Sequence, residues 1–120
     1  MAATLSKMER LSGRTAIGVL MGRGRWSQTL HLRCCCLMDN GLEVSRLMVS
    51  VPKKYFKRAV RRNLLKRRMR EAYRLNKELA GPAGCDILFV YNSPEILPYA
   101  DICEEVTALM RRIGEQRTAK

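Results

Sequence analysis

The spacing of apolar residues changes several times along the chain, and each change marks an element. Ile17, Leu20 and Met21 fall at helical intervals, which predicts a short helix over about Gly13 to Met21 with Ser12 as its N-cap. Gly22-Arg23-Gly24-Arg25 then ends it. From Leu30 to Met38 the period drops to two. Leu30, Leu32, Cys34, Cys36 and Met38 share one face, and His31, Arg33, Cys35 and Leu37 the other, as in a strand. Asp39-Asn40-Gly41 carries the dipeptide favoured in tight hairpins. This strand is therefore expected to fold back on a second one that ends in Leu47-Met48-Val49-Ser50-Val51 and is closed by Pro52.

A helical period returns from about Arg58 to Leu79 and stops at Gly81-Pro82-Ala83-Gly84. Ile87 to Tyr91 is a short apolar run, as expected of a buried strand. Asn92-Ser93-Pro94 turns the chain, and Pro98 precedes a last helix over about Tyr99 to Ile113, with Ile102, Val106, Leu109, Met110 and Ile113 as its stripe. The order reads α-β-β-α-β-α. It predicts an α/β layer in which helices pack on one small sheet. A single domain over 1–120 suits the length, with 1–11 as a flexible arm and 114–120 as a flexible tail.

Charge changes this picture most. The chain carries 23 Lys and Arg against 11 acids, a net charge of +12. Such an imbalance repels itself unless a polyanion screens it. The excess is also local. Residues 53–74 hold Lys53, Lys54, Lys57, Arg58, Arg61, Arg62, Lys66, Arg67, Arg68, Arg70 and Arg74, with Glu71 as the one acid. On a helical wheel Leu64, Leu65, Met69, Ala72, Tyr73, Leu75 and Leu79 fill one arc, while Asn63, Lys66, Arg67, Arg70, Arg74 and Lys77 fill the opposite one. Arg68 falls on the apolar side, where its stem can pack while its head reaches water. A helix fixed to a core by one face thus displays cations on the other. Arginine dominates that face, and its planar fork suits phosphate oxygens. An anionic membrane surface fits less well, because the apolar arc lacks bulky interfacial aromatics and is needed for the core. A strand leads into the helix and no companion helix precedes it, which favours a folded RNA read by shape over DNA.

Catalytic chemistry is not apparent. His31 is the one histidine, with no carboxylate beside it in sequence, and the acids are scattered. A two-metal nuclease needs clustered carboxylates. Cys34, Cys35 and Cys36 alternate between strand faces and cannot converge on one metal. Together with Cys85 and Cys103 they read as small buried hydrophobes in a reducing compartment. No metal site is expected. The chain shows no apolar run long enough to span a membrane and no secretory signal, so a cytoplasmic location and no membrane partner are expected.

The basic segment resembles the signature of the bacterial ribonuclease P protein component. The resemblance rests on Val51-Pro52-Lys53-Lys54, a four-residue spacer, Ala59-Val60 and Arg61-Arg62-Asn63-Leu64-Leu65-Lys66-Arg67-Arg68-Met69-Arg70-Glu71. Leu64 stands where the family has the second arginine of its R-N-R core. The resemblance implies an α/β (α+β) sandwich of order α-β-β-(β)-α-β-α, with a left-handed β-α-β crossover carrying the basic motif, an exception to the usual hand. It implies that Lys53, Lys54, Arg58, Arg61, Arg62, Asn63, Lys66, Arg67, Arg70 and Arg74 bind RNA. It also implies a groove for the single-stranded 5′ leader of precursor tRNA, lined by Ile17, Met21, Arg33 and Cys35. Ile17 and Met21 stand where family members usually carry aromatics; Trp26 and Tyr55 are candidate replacements.

The function implied is that of an accessory subunit. A catalytic RNA, with Mg2+ in the assembled holoenzyme, performs the hydrolysis. The protein, a monomer in the complex with no cofactor of its own, neutralises phosphates and docks the leader. A ribosomal or ribosome-assembly protein and a stand-alone nuclease remain the rival readings at this stage.

Overall fold

A computed structural model of the chain describes residues 10–42, 44–80 and 84–118. Its elements are α1 (Arg14–Arg23), β1 (Arg25–Gln28), β2 (Leu32–Leu37), β3 (Arg46–Ser50), α2 (Ala59–Leu75), a 3-10 turn (Lys77–Ala80), β4 (Asp86–Tyr91) and α3 (Tyr99–Thr118). β4 organises the sheet. Ile87, Leu88, Phe89 and Val90 leave it no polar face, and a strand apolar on both sides needs cover above and below. It lies in the sheet order β1-β2-β4-β3, antiparallel to β2 and parallel to β3.

That order corrects the expected hairpin: β2 does not pair with β3, because β4 lies between them. The Asp39-Asn40-Gly41 signal still makes a turn. Gly41 N–H donates to Asp39 Oδ1, Leu42 N–H donates to Asn40 Oδ1, and Gly41 has φ 75°. The Asn40 amide then donates to Asp86 Oδ1 on β4 at 2.8 Å, which ties the turn to the start of the central strand. The true hairpin is β1–β2, in which Trp26 sits opposite Cys35 and Gln28 opposite Arg33. β1 is a strand that the spacing of apolar residues did not predict, and it precedes the two strands expected. β2 begins at Leu32 rather than Leu30, which is 85% exposed in the turn.

Each sheet face has its own core. On one side Leu32, Cys34, Cys36, Val49, Ile87 and Phe89 meet α2 through Leu65, Met69, Ala72 and Tyr73, and α3 through Ile102, Val106, Leu109 and Met110. Two edge-on aromatic pairs, Tyr73–Phe89 and Phe56–Tyr91, lie in this core. On the other side Cys35 and Leu88 meet Leu20 of α1 and Leu11, with Ile17, Leu37, Met48 and Val90 around them. The basic helix forms the crossover between the parallel strands β3 and β4.

The described residues reach a little way into the expected arm and tail. Within the expected arm, Arg10 bridges Leu47, Leu11 N–H donates to Leu47 O at 2.8 Å, and Leu11 is buried; residues 1–9 lie outside the described residues. Within the expected tail, α3 runs on to Thr118 despite Gly114, through Glu115, Gln116 and Arg117, which favour helix. Ser12 does not cap α1. The chain is still leaving its bridge to β3 there, and Gly13 takes the N-cap position at φ 95° without a side-chain bond. α2 ends at Leu75, four residues early, and tightens into the 3-10 turn.

Gly24 joins α1 to β1 under tight constraint. A Cβ there would stand 2.5 Å from Leu20 O and 2.6 Å from Cys35 Sγ. Its N–H already donates to that same carbonyl at 2.7 Å. Gly24→Ala is therefore expected to cost roughly 1–3 kcal/mol by pushing the end of α1 off β2. Gly22→Ala, with nothing within 4 Å of its Cβ, should be neutral or stabilising. Urea denaturation of both variants checks this; equal effects would contradict it.

Candidate nucleic-acid interface

The buried residues of α2 are Leu65, Met69, Ala72 and Tyr73. Their spacing turns Asn63, Lys66, Arg67, Arg70 and Arg74 away from the core, as the wheel requires. Asn63 and Arg67 are exposed one turn apart, while Lys66, Arg70 and Arg74 are half-buried by their stems. Among the described residues Lys66, Arg67 and Arg70 take part in no salt bridge. Arg74 pairs with Glu71 at 3.0 Å. Burial holds the Arg70 pKa below its usual value, and the charge of Arg10 lowers it further.

The remaining basic positions divide by role. Lys53 and Lys54 are exposed on the turn after β3, with Lys54 Nζ 5.0 Å from the Tyr55 ring centroid. Arg58 and Arg61 are exposed at the start of α2. Arg62, predicted to face RNA, turns back and donates to Phe56 O and Lys57 O at 2.8 and 2.9 Å. Its guanidinium ties down the loop entering the helix. Arg68 packs its stem as its place on the wheel implied, but its head bonds protein in place of water: half-buried, it donates to Leu97 O at 2.5 Å and joins α2 to the loop before α3. Leu64 is half-buried at the edge of the apolar arc.

The predicted groove residues lie on the opposite side of the sheet. Met21 is 50% exposed, and Ile17 is half-buried against Leu20 and Leu88. Arg33 is exposed, its guanidinium 4.6 Å from the centroid of the Trp26 ring. Cys35 is a correction. It is fully buried under α1 with its thiol 3.4 Å from Leu20 O, so it presents no surface to a ligand. Trp26, 40% exposed on β1 opposite Cys35, lies on this side of the sheet. Tyr55 stands elsewhere, its hydroxyl 3.2 Å from Asn92 Oδ1.

A family model described as ribonuclease P matches residues 5–114. The chain belongs to the ribonuclease P protein family. A ribonuclease P protein component of Porphyromonas gingivalis is 46% identical over 77 residues, which is 62% of this chain and 56% of that protein. The chain thus spans little more than half the length of that relative. The ribonuclease P protein component of Syntrophus aciditrophicus is 32% identical over 109 residues, covering 91% of this chain and 90% of that one. The solved ribonuclease P protein of Thermotoga maritima superposes with a TM-score of 0.76 at 31% identity, covering 88% of this chain and 97% of the other. The same fold recurs at 19% identity in a Staphylococcus aureus ribonuclease P protein mutant, with a TM-score of 0.77.

In this ribonuclease P family member the thiols of Cys34, Cys35 and Cys36 are held above their ordinary pKa. Burial pushes Cys34 up to about 12 and also raises Cys35, while a hydrogen bond with Cys85 and then burial raise Cys36. Thiolates are the reactive form. Among the described residues no group of three or more His, Cys, Asp or Glu is placed to hold a metal ion. One cluster escaped the sequence reading. His31 Nδ1 lies 2.6 Å from Glu105 Oε2, and His31 Nε2 lies 3.4 Å from Glu95 Oε1. Glu105 is 74 positions away in sequence and reaches His31 because α3 packs on the same sheet, so no local signal announces it.

Proposed function

We propose that this chain is the protein subunit of ribonuclease P. In this reading it binds the catalytic RNA through the outer face of α2 and the 5′ leader of precursor tRNA on the α1 side of the sheet. Family membership supplies the partner. The observation that carries the reading is the face of α2, where Asn63, Lys66, Arg67 and Arg70 enter no salt bridge among the described residues, on a helix whose other face is locked into the core. Guanidinium forks on a rigid helix meet phosphates with little ordering cost. On the far side of the sheet, Trp26 offers a stacking surface and Arg33 a cation, the pairing that single-stranded RNA uses. A body with one RNA surface on each side can bridge the catalytic RNA and its substrate.

The hydrolytic chemistry belongs to the RNA and its bound Mg2+ in this reading. The cationic face carries no acid–base pair, and Glu105 is already engaged by three hydrogen bonds. The protein acts in the cytoplasm as one copy beside the RNA. Reconstitution tests this. The chain with the cognate catalytic RNA is expected to release the intact leader from precursor tRNA, raising kcat/KM over RNA alone at low Mg2+, while the chain alone cleaves nothing. Cleavage by nuclease-free protein without RNA, or no stimulation of the RNA, would contradict it. A ribosome-assembly protein would give the second outcome.

A further inference from the structure

The β1–β2 hairpin carries both Trp26 and Arg33. β2 is anchored along its length by β4, whereas β1 is the outermost strand among the described residues and pairs with β2 alone. The turn that joins them is held to the body of the protein by α3. Glu105 Oε1 accepts from the Thr29 hydroxyl at 2.5 Å and from His31 N–H at 2.8 Å, and Glu105 Oε2 lies 2.6 Å from His31 Nδ1. Arg112, two turns further along α3, donates to Gln28 O at 2.7 Å. The side chains of His31 and Glu105 are only 17% and 14% exposed, so water competes poorly for these bonds.

We propose that Glu105 is a positioning residue for the leader-binding face: through Thr29 and His31 it clamps the hairpin turn, and protonated His31 completes the clamp by binding Glu105 and Glu95 together. This rests on the leader reading above. The charged groups facing His31 are Glu105 from α3 and Glu95 from the loop after β4; the Tyr91 hydroxyl of β4 lies within their field. As imidazolium, His31 donates from both nitrogens, one to each carboxylate. As neutral imidazole donating from Nδ1, it presents the lone pair of Nε2 to Glu95, which is 70% exposed and free to leave.

The direction of the switch follows from the bonds. The hydrogen bond with Glu105 raises His31 above its usual 6.5 against the opposing effect of burial, and the charge of Glu105 together with the hydrogen bond and charge of Glu95 adds to it. For Glu105, burial acts upward, but the bonds from Thr29 and His31 outweigh it and hold the carboxyl below its usual value. A histidine raised in the folded state contributes fully below its unfolded pKa and loses that contribution as pH rises through the folded value. The clamp is therefore complete in mildly acidic solution and loosens on the alkaline side.

Trp26 is the one tryptophan of the chain, so its fluorescence reads the platform directly. In the free protein its emission is expected to titrate once between about pH 5 and pH 9, with a midpoint above that of free imidazole. Glu105→Gln should move the midpoint down, and His31→Asn, which places an amide nitrogen near Nδ1, should abolish the transition. In the holoenzyme, the preference for a non-cleavable precursor tRNA over mature tRNA should fall at least about fivefold in Glu105→Ala and in the parent at alkaline pH. Affinity for the catalytic RNA, which α2 supplies, should stay unchanged. A parent emission that does not titrate, or a midpoint indifferent to Glu105→Gln, overturns the clamp. A titrating Trp26 with unchanged precursor preference overturns its link to the leader. A holoenzyme whose parent shows no leader preference at any pH contradicts the leader reading itself, while the Trp26 titration still decides whether the clamp exists.

Discussion

Asp86→Ala is expected to destabilise the protein by about 3 kcal/mol or more, the cost of leaving one half of a buried ion pair without the other. Asp86 is 2% exposed at the start of the central strand. Its carboxylate takes Arg46 Nε at 2.8 Å and Arg46 Nη2 at 2.6 Å, and it also receives the Asn40 amide at 2.8 Å. The bidentate pair joins β4 to β3 at their first paired residues, and Asn40 adds the turn that leads away from β2. Removing the carboxylate strands a guanidinium and an amide at once. Arg46 keeps 22% exposure, so water relieves part of the loss and the lower end of the range applies. Domains of this size have only about 5–15 kcal/mol in total, so the melting temperature should fall by on the order of 10 °C. Asp86→Asn, which keeps one acceptor, should lose less. Denaturant unfolding of both variants checks the ranking; a loss well under 1 kcal/mol for Asp86→Ala would mean that the pair does not hold the strands.

The second large effect concerns salt. Each phosphate that α2 neutralises releases counterions, so affinity for the catalytic RNA should fall linearly on a log–log plot. About six contacts, a number the cations of residues 53–74 can supply, correspond to a loss of about 10³-fold between roughly 50 and 200 mM salt. Filter binding or anisotropy across that range measures the slope. A nearly flat line would show that the interface is not built on phosphates, whatever its affinity.

The sequence makes the helices and their faces legible for a simple reason: α2 and α3 each bury one continuous stripe, and periodicity reports burial directly. The central strand was legible as buried, although its place between β2 and β3 was not. The Asn40-Gly41 turn is real, but a turn signal says nothing about which strand arrives next, and β4 arrives from more than 40 residues later. β1 is short, exposed and without alternation, so Trp26 had no assignable place until its partner Cys35 was known. Within the candidate site, the wheel separated Arg67 from Arg68 correctly in space. It could not foresee that Arg62 folds back onto the loop before α2, since that depends on where the carbonyls of Phe56 and Lys57 point. His31 and Glu105 meet only through tertiary packing, and no spacing rule joins positions so far apart.

The two faces of α2 are the centre of this account, and one comparison tests them. Affinity for the catalytic RNA should be measured beside thermal stability for the parent, Arg67→Ala, Arg67→Lys and Arg68→Ala. Arg67 is exposed among cations, so Arg67→Ala should weaken RNA binding by roughly 1–3 kcal/mol, the scale of charge-assisted hydrogen bonds, and leave stability nearly unchanged. Arg67→Lys should recover part of the binding, because it keeps the charge and loses the fork. Arg68→Ala should lose its bond to Leu97 O and, with it, stability, while the folded fraction binds RNA like the parent. If instead Arg67→Ala binds as the parent does, and Arg68→Ala loses RNA affinity with its stability intact, the RNA meets the other side of this helix.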